Sequence, residues 1–129
     1  MKHTIFYVLF LSITLIACKE KSQLEKDVMA VHDAVMPKMG ELDRSKKKLR
    51  KILKTTQDST QQKEIRTAIL NLENASEGML DWMDQYKIPK DQSQKETYLR
   101  SEMIRIKKVS DDMLSSLDKA KEIILSNEK

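Results

Sequence analysis

Apolar residues return at alternating spacings of three and four through three long stretches of this chain. Almost nothing interrupts them, for the 129 residues include only two glycines and two prolines. Such spacing gathers the apolar side chains on one face of a helix, and that face must be buried against a partner. In the first stretch, about 24–54, the stripe is Leu24, Val28, Val31, Val35, Leu42, Leu49 and Ile52, with Lys38 and Ser45 falling in the same register. The second, about 60–87, carries Ile65, Ile69, Leu72, Ser76, Met79, Met83 and Tyr86, broadened by Ala68, Ala75 and Trp82. The third starts at Ser93 and carries Leu99, Met103, Ile106, Ser110, Met113, Leu117, Ala120 and Ile124 in heptad register.

The stretches are separated by polar punctuation. Residues 55–60 are short and polar, and Asp58 or Ser59 can cap the helix that follows. Pro89 disfavours helical geometry at Ile88, and Ser93 with Glu96 has the spacing of a capping box. Three helices of about 30 residues are each roughly 45 Å long, and short connections turn each one back along the last. The pattern predicts an all-α fold: an up-down-up antiparallel three-helix bundle with coiled-coil-like packing over residues 24–129. Clean heptads also suit a hairpin whose third helix is exchanged with another copy or another protein, so the oligomeric state stays open.

One segment breaks the pattern. Pro37 removes a backbone hydrogen bond and Gly40 weakens the helix further, so the first helix should kink or break there. Folding the first two stretches into a hairpin about residues 57–58 places Pro37 near Gly78 and Gly40 near Ala75. Gly78 is then expected to make room for the backbone displaced at Pro37.

The N-terminus carries a different signal. Lys2 and His3 precede an apolar run from Ile5 to Ala17, too short to span a bilayer and suited to a secretory signal. It ends at Leu15-Ile16-Ala17-Cys18, which resembles the lipobox of bacterial lipoproteins, in which the cysteine is joined to diacylglycerol and the preceding residues are removed. The resemblance implies a signal peptide over 1–17, lipidation of Cys18, a lipidated tether over 18–23, and a membrane partner reached through acyl chains such as palmitate. Lys19 stands where some bacteria read an inner-membrane retention Asp, which favours the outer membrane within the cell envelope. The segments Val31-His32-Asp33-Ala34-Val35-Met36-Pro37-Lys38-Met39 and Met79-Leu80-Asp81-Trp82-Met83 also resemble small helical lipoproteins often labelled viral A-type inclusion protein. That resemblance implies a tethered helical protein and brings no activity or site residue with it.

Removing 17 of the 129 residues leaves 112, enough for one small domain. Without Lys2, 23 basic side chains face 20 acidic ones, and this balance in an exported protein argues against nucleic acid as a partner. Cys18 is the only cysteine, so once it is acylated no disulfide, thiolate metal site or cysteine nucleophile remains. The run Lys46-Lys47-Lys48-Leu49-Arg50-Lys51, with Lys54, suits the C-terminal pole of a helix dipole, and its second reading is an anionic envelope partner or an acidic protein.

No phosphate loop or nucleophile motif is present, and His32 and Asp33 are adjacent, about 100° apart on a helix, so Asp33 should not orient His32 as a general base. The chain is expected not to be an enzyme. The functional expectation is a membrane-tethered envelope lipoprotein acting as a helical binding or structural module. The alternative is a Cu(I)-binding protein. The hairpin places His32 near Met83, Met36 near Met79 and Trp82 on the adjoining turn, with Met39 and Met103 close by. Thioether and imidazole suit Cu(I), and an indole face can lie against a soft cation. Methionine at helical spacing is also an ordinary core filler. A haem held by His32 and one methionine ranks below copper, and di-iron chemistry lower still because the Glu-x-x-His pairs it uses are absent.

Overall fold

The computed structural model describes residues 22–128. Within them the chain forms α1 (Gln23–Val35), a 3₁₀ turn (Met36–Lys38), α2 (Met39–Thr55), α3 (Ser59–Gln85) and α4 (Gln92–Asn127), with no strand. Three helical columns pack on one another: α1 with α2, then α3, then α4. The signal peptide expected over 1–17, the lipidation expected at Cys18 and most of the tether expected over 18–23 fall outside the described residues.

α1, α3 and α4 each begin where a short polar side chain can take up an amide that has no partner within the helix, whereas α2 follows the 3₁₀ turn without a side-chain cap. Ser22 Oγ accepts from the Glu25 N–H at 3.3 Å, and Asp58 accepts from the Gln61 N–H at 2.7 Å. At α4 the cap is Asp91, whose Oδ1 accepts from both the N–H and the hydroxyl of Ser93 at 2.9 Å. The expected capping box at Ser93 and Glu96 is therefore corrected: a carboxylate two residues upstream takes the cap, and Glu96 accepts from Arg100 instead, at 2.7 Å. α3 stops at Gln85, before Pro89 can act, and the Lys87 N–H donates to the Tyr98 hydroxyl at 2.6 Å.

The first column breaks at Pro37, as its chemistry requires. α1 ends at Val35, and the Met39 N–H reaches back three residues to the Met36 carbonyl. The buried face is not lost across the break. Val28, Val35, Leu42 and Leu49, seven residues apart, are all within 4% of full burial. Opposite them lie Ile65, Ala68, Leu72, Ala75, Met79 and Trp82 of α3, and Leu99, Ile106, Met113, Leu117 and Ala120 of α4.

Two packing expectations are overturned. A methyl built on Gly78 meets nothing within 4 Å, and one on Gly40 meets only the Arg44 side chain at 3.3 Å, so neither glycine admits a displaced backbone. The 3₁₀ turn absorbs the loss at Pro37 within its own column. On α3, Met83 is 42% exposed while Trp82 takes the inward position, and the Ser76 hydroxyl turns back to the Leu72 carbonyl at 2.9 Å.

α1 rests closely on α4, and α2 on both α3 and α4. The backbones of α1 and α3 approach less closely, and the gap is bridged by large side chains, His32 against Trp82. Leu72, fully buried, and Leu70, 53% exposed, test this packing on one helix. Leu72→Ala should cost about 2–5 kcal/mol in urea unfolding, and Leu70→Ala no more than about 0.5 kcal/mol.

Candidate functional site

Trp82 and Tyr86 are one helical turn apart at the end of α3, so their rings share a face. They stack with centroids 4.7 Å apart. His32 of α1 also stacks on Trp82, at 5.6 Å and 29°, and Tyr98 of α4 lies 6.1 Å from Tyr86. A four-ring ladder thus crosses all three columns.

Beside the ladder the interior is polar. Glu102 is 2% exposed; its Oε1 accepts from Arg105 Nη1 at 2.8 Å, and Arg105 Nη2 donates to Gln85 at 2.7 Å. Glu25 pairs with Lys95 at 2.9 Å, both nearly buried. Glu102 Oε2, the Tyr86 hydroxyl and Trp82 Nε1 are buried without a hydrogen-bond partner among the described residues. Burial, with the negative charge of Glu25, pushes the Tyr86 phenol up to about 12, and Tyr98 and Glu102 push the same way. Burial also raises Tyr98, against the Lys87 N–H that its oxygen accepts.

Apolar spacing does not single out Glu102, because a carboxylate does not count toward a hydrophobic stripe. Its position was informative all the same: it stands three residues after Leu99 and four before Ile106, in the apolar seam.

His32 sits at the solvent edge of the ladder, its side chain 13% exposed, with Nδ1 2.8 Å from Asp33 Oδ1. Asp33 thus holds the imidazole, contrary to the expectation that it should not orient His32. Neighbouring Cβ atoms diverge on a helix, but a short carboxylate and a pivoting imidazole close the distance. The contact occupies Nδ1 and leaves Nε2 for another partner.

The methionines divide by depth. Met79 has no exposed surface, Met36, Met39 and Met103 are half-buried against the core, and Met83 opens to solvent. His32 meets Trp82, one residue from the Met83 that the hairpin estimate gave. Among the described residues no three of His, Cys, Asp and Glu gather as a metal site.

At the other end, the basic run is partly neutralised. Lys47 pairs with Asp43 at 2.7 Å, Arg50 with Glu73 at 2.6 Å and Lys48 with Glu128 at 3.5 Å. Lys51 and Lys54 have no ion pair among the described residues. A groove between α2 and α4 is there as well, lined by Arg44, Ser45, Lys121 and Leu125 and remote from the ladder. Compared with family models, curated proteins and solved structures, the chain matches none of them.

Two outcomes follow from the polar interior. The neutral Tyr86 phenol is favoured in the folded state, so its contribution to stability is complete below about pH 10 and is lost as pH rises through about 12. Tyr86→Phe should flatten that alkaline loss in denaturation measured across pH 9–12. Lys95→Met, which leaves Glu25 buried and unpaired, should cost about 3–5 kcal/mol, while Glu25→Leu with Lys95→Met should restore most of it.

Proposed function

We propose that this chain is a lipid-tethered protein of the bacterial cell envelope whose helical bundle acts as a binding or structural module. The observation that carries the reading is Leu15-Ile16-Ala17-Cys18 behind a short apolar run. Residues 1–17 are removed in this reading, Cys18 is acylated and 18–23 form the tether. Among the described residues no helix is long and apolar enough to cross a membrane, and Cys18 supplies the attachment. Lys19 favours the outer membrane.

In the same reading the columns run up, down and up. Supporting this, Glu25–Lys95, Glu41–Lys121 at 3.0 Å and Lys48–Glu128 link the first and third columns in the same order along both. Gln85–Arg105, Glu64–Lys119 and Gln61–Asn127 link the second and third in opposite order. The start of α1 and the α3–α4 connection then lie toward the anchor, with Lys51 and Lys54 presented away from it to an anionic or acidic partner.

Growth with an alkyne palmitate analogue tests the tether. The native chain should take up label and sediment with outer membranes, whereas Cys18→Ser should lose the label and leave the membrane fraction with its helical circular dichroism intact. An unlabelled native chain, or a Cys18→Ser chain that stays labelled, would exclude this reading.

A further inference from the structure

We propose that His32, Met36, Met79 and Met83 form a Cu(I) site at the solvent edge of the ring ladder, with Trp82 as its indole wall and Met39 beside it. Several observations converge there. His32 stacks on Trp82 with the two planes 29° apart. The indole stacked beside His32 is an aromatic face whose ring quadrupole attracts a cation. Nδ1 is occupied by Asp33 at 2.8 Å, which turns Nε2 into the coordinating nitrogen, the arrangement of a carboxylate behind a metal-bound histidine.

The thioethers follow the same line. Met36 is four residues beyond His32, one turn along the column, and Met79 and Met83 flank Trp82 on α3. Met83 is 42% exposed and Met79 fully enclosed, so the pair runs from solvent into the core. The backbones of α1 and α3 also stand farther apart here than the other packed pairs, leaving the gap to side chains.

The distribution of methionine argues against simple filling. Six of the chain's eight methionines, Met29, Met36, Met39, Met79, Met83 and Met103, lie in the half of the bundle that holds the ladder. The other half is packed by Leu42, Leu49, Leu72 and Leu117, with Met113 the exception. Leucine and methionine fill similar volumes, so packing alone does not call for this segregation. Two or three thioethers with one neutral imidazole form a soft donor set that favours Cu(I) over hard divalent ions.

The site uses no part of Cys18 and stands apart from the tether reading. The test is an anaerobic titration of the detergent-purified chain, native and Cys18→Ser, with Cu(I) against a colorimetric Cu(I) chelator. One equivalent should be retained by both, with quenching of Trp82, the only tryptophan. In ¹⁵N spectra, Nε2 of His32 should shift while Nδ1 does not. His32→Ala and the joint Met36→Leu, Met79→Leu variant, which preserves core volume, should each weaken binding at least tenfold with circular dichroism unchanged. No retention, retention abolished by Cys18→Ser, or full retention in the His32 and double methionine variants would each overturn the site, whatever the palmitate experiment gives.

Discussion

Everything in this bundle depends on Val28, Val35, Leu42 and Leu49 keeping one face through a break in their own helix. Pro37 cannot donate to the ladder of backbone bonds, and an arbitrary kink would rotate the second half of the column away from its partners. The 3₁₀ turn avoids this. It closes with a three-residue bond at Met39, and the seven-residue repeat resumes with its phase preserved, so α1 and α2 bury a common stripe though they are separate helices. Both α3 and α4 can then remain unbroken.

The packing is uneven along the bundle. One end is sealed by leucine and isoleucine, with ion pairs confined to the rim. The other holds two nearly buried carboxylates, a phenol with a raised pKa, and an indole N–H that has no partner among the described residues. Unsatisfied polar groups in a core are costly, and a core retaining three of them in one region is not optimised there for stability alone. Segregated methionine marks the same end.

Much of the architecture was legible in the chain. Alternating threes and fours located all three columns to within a few residues, and scarce glycine and proline fixed where they could stop. Caps were harder: Asp91 and Ser93 both qualify by type, and only the path of the connecting segment decides which side chain reaches the free amides. The inward residue was harder still at Trp82 and Met83, since both fit a broad stripe and the choice rests on which ring can stack between His32 and Tyr86. Glu102 is not legible because hydrophobic spacing passes over a carboxylate, nor is the Asp33 contact, because the angle between neighbouring Cβ atoms does not fix side-chain torsions. The expectation for Gly78 failed for a different reason: local strain was relieved within the first column, which no pairing estimate could show.

The uninterrupted α4, with 36 residues, spans the packing partners of both α1 and α2, so it lies across the one break in the first column. In mechanical terms it is a splint. A bend at the 3₁₀ turn would have to curve a continuous helix about 54 Å long, and a proline that would make an isolated helix a joint is here part of a stiff rod.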